Sequence, residues 1–158
     1  MSMITEKEAL GRVAFYCSAA EHCRSEIDDK LKKWGLEADV IERILARLEA
    51  EKYIDSERYC RAFVDDKLRF SKWGKVKIAQ ALYLKKIPLE TASKYLNDID
   101  EEEYLATLSH LLISKRRTIR AKDDYDLKAK LIRFAMSRGF EMKYIIRCVN
   151  LPEADELA

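Results

Sequence analysis

Apolar residues recur at helical spacing along most of the chain, and no segment alternates apolar and polar residues as a strand would. The clearest case is a single apolar stripe made by Val40, Ile41, Ile44, Leu45 and Leu48. Only four glycines and two prolines interrupt the 158 residues. The pattern predicts an all-α fold with helices at 6–19, 22–34, 38–51, 56–70, 75–85, 89–97, 101–117, 125–137 and 141–150.

The helices follow an internal repeat of about 50 residues, aligned on Gly35, Lys86 and Gly139. Apolar residues recur eight and four positions before these three, and one, six and ten positions after them: Ile27, Ile78, Leu131; Leu31, Leu82, Ala135; Leu36, Ile87, Phe140; Ile41, Ala92, Ile145; Leu45, Leu96, Val149. Because the agreement crosses a turn in all three copies, it exceeds what unrelated amphipathic helices would give.

The repeat predicts three tandem three-helix units, at 6–54, 55–99 and 100–150, followed by a flexible C-terminal tail at 151–158. Such units stack into an elongated, curved array whose extended surface suits macromolecular partners. Gly35 and Gly139 fit the left-handed position that commonly ends a helix. Lys86 must adopt that conformation at a cost or use another turn.

Charge is distributed unevenly, although 30 basic and 28 acidic residues nearly cancel. Residues 67–86 hold seven basic residues and no acidic one, and residues 115–138 hold nine basic and three acidic ones, whereas 1–66 are net acidic. Both basic blocks surround the middle helix of a unit. A basic residue also stands eleven positions before each turn, in the first turn of the middle helix: Arg24, Lys75 and Lys128.

A cation in a first turn opposes the helix dipole, so either a binding role or nearby acids such as Glu26, Asp28 and Asp126 must compensate. A basic stripe can neutralise phosphates or dock on an acidic protein surface. Phe70 and Trp73 lie within the first basic block and could stack on bases. We expect Phe70 to belong to the core, and the sequence leaves Trp73 open.

Catalytic and metal-binding patterns are missing from the sequence. It has no Gly-rich phosphate loop, no nucleophile elbow and no CxxC, and its two histidines lack partners at useful spacing. We therefore expect a protein that is not an enzyme and uses no cofactor or metal.

No apolar run approaches the 18 or so residues of a membrane span, and the N-terminus lacks a secretory signal, which predicts a cytoplasmic protein without membrane contact.

The stretch 53–87 carries a recognisable motif. It contains Ile54-Asp55, Ser56-Glu57, two arginines, Ala62-Phe63-Val64, and then Gly74, Lys75, Ile78 and Leu82. This resembles the signature of the RecX family of recombinase regulators, and HCRSEIDDKLKKWGL and KLIRFAMSRGF resemble its first and third repeats. The resemblance implies three three-helix units in a curved molecule that binds RecA, lies in the groove of its nucleoprotein filament, and inhibits ATP hydrolysis and strand exchange in DNA recombination and repair.

The chain also departs from the family pattern. Ser18, Ala19, Ala20 and His22 stand where the family's first repeat has arginines, so the first unit should contribute less positive charge. Lys86 stands where the second repeat commonly has glycine. We expect a monomer that contacts RecA, and DNA weakly or within the filament, through a basic face formed by Arg24, Arg58, Arg61, Lys67, Arg69, Lys72, Lys75, Lys77, Arg116, Arg117, Arg120, Lys122 and Lys128.

Two other readings remain open. A plain DNA-binding protein would use a helix-turn-helix, but helix 75–85 offers mainly lysines and Gln80 for reading bases. A scaffold that binds only protein would show no affinity for DNA even at low salt.

Overall fold

The computed structural model describes residues 4–150, which contain nine α-helices and no strand. The helices are α1 Glu6–Ala19, α2 Arg24–Lys33, α3 Ala38–Ala50, α4 Ser56–Arg69, α5 Lys75–Leu84, α6 Leu89–Asn97, α7 Glu101–Arg116, α8 Asp124–Ser137 and α9 Met142–Asn150. All predicted helices are confirmed, with each boundary within two residues. The predicted tail at 151–158 lies outside the described residues.

One turn geometry ends the middle helix of every repeat. Gly35, Lys86 and Gly139 have φ values of 80, 60 and 92°. In each case the next amide donates to a carbonyl five residues back: Leu36 to Leu31 (3.4 Å), Ile87 to Leu82 (3.1 Å) and Phe140 to Ala135 (3.2 Å). This is the Schellman motif, which satisfies carbonyl groups at a helix end. Lys86 therefore takes the left-handed conformation, at a cost of about 1–2 kcal/mol.

The repeat positions form the core. All of the aligned apolar positions are buried except Leu36 and Val149, which are half-buried. In the first repeat, for example, Ile27 and Leu31 of α2 pack in one cluster with Ile41 and Leu45 of α3. The register read from the sequence is thus the register in which the helices bury their apolar faces.

Helix starts are fixed by local caps where the sequence offers them. Thr5 accepts a hydrogen bond from the amide of Glu8 (3.1 Å) at the start of α1. Asp123 accepts from the amide of Asp126 (2.7 Å) at the start of α8. The middle helix of the first repeat has an unusual cap, because the Glu26 carboxylate accepts from the backbone amide of Cys23 (3.0 Å).

Contacts divide the chain into two compact units. One comprises Met1–Phe63 and Leu82–Ala92; within it α1 and α2 both pack on α3. The other comprises Val64–Ala81 and Ser93–Ala158; within it α7, α8 and α9 pack on one another. The second repeat is shared out between the units, so residues of α5 appear in both.

Candidate functional site

The basic segment between α4 and α5 folds around the indole of Trp73. Lys72 has a left-handed φ of 58°, and the Trp73 amide donates to the Lys67 carbonyl (2.9 Å). The Nζ atoms of Lys67 and Lys77 lie 4.8 and 4.6 Å from the centroid of the half-buried indole ring. Two ammonium groups therefore share one aromatic ring, which attracts cations through its quadrupole. The indole gathers charges that stand ten residues apart in the sequence.

The first turn of α5 is fastened to residues of the third repeat. The amides of Gly74, Lys75 and Val76 donate to the Arg138 carbonyl (2.7 Å), the Tyr104 hydroxyl (2.9 Å) and the Gly139 carbonyl (3.0 Å). The first amides of a helix lack partners within the helix and often bind phosphate. Here protein acceptors occupy them. The amides of Gly74, Lys75 and Val76 are consequently not free to bind a phosphate.

This junction requires two glycines. A Cβ atom on Gly74 would lie closer than 3.0 Å to backbone atoms of Gly139 and Phe140. A Cβ atom on Gly139 would lie equally close to the Cβ and backbone nitrogen of Lys77. Real Cβ atoms do not approach that closely, so the two backbones can meet only because neither residue has a side chain. Gly74, a residue of the sequence motif, therefore serves this contact.

Tyr104 completes the junction from α7. Its fully buried hydroxyl accepts from the Lys75 amide and donates to the Glu141 carboxylate, and its ring lies 4.9 Å from the Lys75 Nζ atom. Burial, and then the hydrogen bond to Glu141, raise the pKa of Tyr104 well above its usual range. The hydroxyl stays protonated and can act as donor and acceptor together. Sequence reasoning missed this residue because a tyrosine in an apolar stripe looks like ordinary core.

Several of the predicted basic residues form ion pairs within the chain. Arg24 pairs with Glu42 (2.7 Å) and Glu49, so its compensating acids lie on α3 rather than at the expected Glu26 and Asp28. The other pairs are Arg58 with Glu21 (2.6 Å), Arg69 with Glu103 (3.0 Å) and Asp65 (3.4 Å), and Lys128 with Asp124 (3.5 Å). Exposed pairs of this kind contribute about 0–1 kcal/mol, so a polyanion could displace the acids.

The prediction that Lys128 lies in a first turn is wrong. Helix α8 begins at Asp124, which makes Lys128 its fifth residue and places it in the second turn. The helix begins earlier than predicted because the Asp123 side chain caps it. Arg24 and Lys75 do stand first in α2 and α5.

The remaining predicted residues lie on α4, at the end of α7, in the connection to α8 and around the start of α5. Arg61 is exposed on α4, and Arg116, Arg117, Arg120 and Lys122 are exposed at the end of α7 and in the connection to α8. That connection is tied to α8, because the Lys122 amide donates to Asp126 (3.2 Å) and Lys130 donates to the Arg120 carbonyl (2.7 Å). The connection therefore holds its three cations on a defined backbone. Lys72, Lys75 and Lys77 are half-buried, so their stems pack while their ammonium groups reach the surface.

The expectation that Phe70 belongs to the core is wrong, since 81% of the residue is exposed. The buried stripe of α4 runs through Cys60, Val64 and Leu68. Phe70 directly follows the helix, and its amide still donates to the Asp66 carbonyl (2.9 Å), so it keeps a helical phase about 200° from Leu68. Phe70 thus presents a bare ring beside the basic segment. Tyr125, 84% exposed at the start of α8, does the same beside the second basic block.

The described residues contain no set of groups arranged for metal binding. Within residues 4–150, no three His, Cys, Asp or Glu side chains come together to hold a metal ion. Burial raises the pKa of the Cys17 and Cys60 thiols to about 11, which keeps them protonated and poorly nucleophilic at neutral pH. None of the helices in this part of the chain is long and apolar enough to cross a membrane.

Three protein-family models match the chain in order. They are described as RecX, first three-helix domain (residues 9–48), second three-helix domain (55–96) and third three-helix domain (101–149). The matches follow the three helical repeats and together span most of the chain.

Individual relatives agree with the family models. The chain is 32% identical to the regulatory protein RecX of Clostridium perfringens over 118 residues, which are 73% of this chain and 55% of that protein. It is 30% identical to the regulatory protein RecX of Thermus thermophilus over 94% of each chain. A crystal structure of a regulatory protein RecX superposes with a TM-score of 0.85 at 21% identity, covering 92% of this chain and 73% of the other. With all three repeats matched in order, this chain belongs to the RecX family of regulatory proteins.

Proposed function

We propose that the chain is a non-enzymatic, monomeric, cytoplasmic regulator that binds RecA and its nucleoprotein filament and inhibits ATP hydrolysis and strand exchange. The observation that carries the proposal is the match of all three repeats to the three RecX domains in order. The family's regulatory role requires a partner, and the basic surfaces of this chain supply a means of binding one.

The basic segment around Trp73 supports this proposal. Two lysine ammonium groups are gathered on one indole, and the segment's backbone is held by hydrogen bonds to Arg138, Gly139 and Tyr104. A rigid cluster of charge loses little conformational entropy when it binds. A RecA filament offers both protein surface and DNA phosphates, so the same cluster could engage either component.

The exposed aromatic rings add a second means of contact. Phe70 and Tyr125 are each more than four-fifths exposed and each lies beside a basic block. Large aromatic side chains that a partner buries often contribute much of the binding energy of an interface. In this account the cations steer the approach and the rings supply part of the buried area.

A sequence-reading helix-turn-helix is the weaker alternative, because α5 offers mainly lysines and Gln80 for reading bases. DNA contact in the proposed function is therefore made with phosphates and without sequence preference. Binding should weaken steeply with salt for any DNA sequence.

The test measures, by co-sedimentation, how tightly the chain binds RecA filaments assembled on single-stranded DNA. Changing Lys72, Lys75 and Lys77 to glutamine removes three charges and keeps a polar side chain, with a shorter stem, at each half-buried site. We expect the triple variant to bind at least tenfold more weakly, which corresponds to about 1.4 kcal/mol. A charge-matched control changes Lys32, Lys33 and Lys143 to glutamine. These lysines are exposed outside the basic segment, and the control variant should bind like the wild type. Equal binding by both triple variants would remove the basic segment from the interaction.

A further inference from the structure

The first repeat carries a groove of different character from the basic face. A cavity of about 690 Å³ opens along the exposed side of α1 and the end of α2. We name it the α1–α2 groove; its walls include Lys7, Gly11, Arg12, Phe15, Tyr16 and Trp34, with Lys30 at one side. None of these residues belongs to the predicted basic face. The groove is therefore a separate feature of the molecule.

Three aromatic rings line the groove, and they differ in whether another side chain already covers the ring face. Tyr16 stacks on His22 with ring centroids 3.8 Å apart, and the Lys30 Nζ atom lies 4.3 Å from the Tyr16 centroid. The same ammonium lies 5.6 Å from the ring of the half-buried Trp34. Tyr16 and Trp34 are thus held in place as walls. Phe15 is 78% exposed and leaves its ring open to a ligand.

The cations of the groove are not neutralised. Among residues 4–150, no carboxylate forms an ion pair with Lys7, Arg12 or Lys30. The one acid of the groove, Glu8, accepts a hydrogen bond from the Thr5 hydroxyl (3.0 Å) as part of the cap of α1. Arg24, in the same repeat, is by contrast paired with Glu42 and Glu49. The groove therefore places three cations without ion-pair partners on the walls that also carry the exposed Phe15 ring.

Gly11 forms part of the groove wall and has no packing reason to be glycine. It stands inside α1, where alanine would make a more stable helix. A Cβ atom there would meet nothing within 4 Å. Close approach of an external group explains a glycine that the chain's own packing does not need.

We propose that the α1–α2 groove is a binding site for single-stranded nucleic acid, with a base stacked on Phe15 and the neighbouring phosphates on Lys7, Arg12 and Lys30. An open ring beside three unpaired cations matches an unpaired base with its phosphates on either side. A duplex hides its base faces and would offer Phe15 nothing to stack on. An acidic peptide would use the cations but not the ring face. The proposal does not depend on RecA binding and is tested without RecA.

The test measures binding of a fluorescent oligothymidine to the full chain at low salt by anisotropy. Phe15→Ala should raise Kd about tenfold, as expected for one lost base–aromatic stack. Tyr83→Ala is the matched control, because Tyr83 is an equally exposed aromatic (80%) outside the groove, and it should leave Kd unchanged. Gly11→Leu should raise the melting temperature while weakening binding, because leucine favours the helix and fills the groove. If Gly11 were needed for folding, the substitution would lower both the melting temperature and the affinity for oligothymidine.

Competition separates the possible ligands. An oligomer of the same length and charge that lacks bases, a duplex and oligoglutamate should all compete at least tenfold less well than oligothymidine. Photocrosslinking of 5-iodouracil DNA should label the tryptic peptide 13–24, which contains Phe15 and Tyr16. The proposal is overturned if Phe15→Ala binds like the wild type, if the abasic oligomer or oligoglutamate competes equally, or if the wild type does not bind oligothymidine. Failure here leaves the RecA proposal standing, since filament binding is measured separately.

Discussion

Gly35 and Gly139 occupy the same place in the first and third repeats, yet they meet different surroundings. Both end a middle helix with a positive φ and the same Schellman hydrogen bond. A Cβ atom on Gly35 would meet nothing within 4 Å, whereas one on Gly139 would collide with Lys77. The first glycine is required only by backbone conformation. Gly139, in the third repeat, also contacts the first turn of α5, so its turn packs against the basic segment.

The comparison predicts the largest effect for Gly139→Ala. The substitution combines the left-handed strain with a collision against the backbone of α5, and it breaks the Val76 hydrogen bond. We expect it to lower the free energy of unfolding by about 3 kcal/mol or more. Urea denaturation measures the loss. A loss no greater than that of Gly35→Ala would show that the close contact is absent in solution.

Gly74→Ala tests the same contact from its other side. Because both substitutions disrupt one junction, the loss from the double variant should be smaller than the sum of the two single losses. A double-mutant cycle in urea measures this coupling. Strict additivity would mean that Gly74 and Gly139 act independently.

Tyr104→Phe should have an intermediate effect, about 1–3 kcal/mol, because the Lys75 amide and Glu141 lose their partner while the ring stays packed. Its raised pKa gives a second readout. A group whose pKa rises on folding contributes stability below its unfolded pKa, near 10 for tyrosine, and loses that contribution at higher pH. The wild type should therefore lose stability relative to the variant above pH 10. Tyr125→Phe, at an exposed site, should show neither effect.

The smallest effects should come from substitutions that change only the conformational preference of the turn residue. Gly35→Ala should destabilise by about 1 kcal/mol through left-handed strain alone. Lys86→Gly should stabilise by about 0.5–1 kcal/mol, because glycine relieves the strain at φ 60°. Melting curves of the two variants should shift in opposite directions. A destabilising Lys86→Gly would indicate that the lysine side chain contributes a contact that outweighs its backbone cost.

The fold could be predicted from the sequence because its determinants are local. Helix length, caps and the turn at Gly35, Lys86 and Gly139 depend on residues a few positions apart, and the shared register follows from them. The junction at Gly74 could not be predicted in this way. It brings Gly74 against Gly139 and Lys75 against Tyr104, residues far apart in the sequence. Other glycines and tyrosines among residues 4–150 form no such contact, so residue type alone does not reveal these partners.

The sequence shows which charged residues the candidate site contains, but it does not show how they are arranged or paired in the fold. The basic blocks are visible in the sequence, but a count of charges does not reveal that Arg24, Arg58 and Arg69 are paired with acids outside their own helices. Phe70 was misassigned because aromatic character alone favours burial, whereas its position relative to Val64 and Leu68 places it on the opposite side of α4. The helical phase of a residue was the better guide.

The central claim, that this RecX-family chain regulates RecA, is tested most directly by titrating the chain into RecA hydrolysing ATP on single-stranded DNA at physiological salt. We predict inhibition at well below one molecule per RecA protomer, because a regulator bound along a filament affects many protomers. Phe15→Ala and the lysine-to-glutamine triple variant can be compared in the same assay. An unchanged rate of hydrolysis at a molar excess of the folded chain would contradict the account.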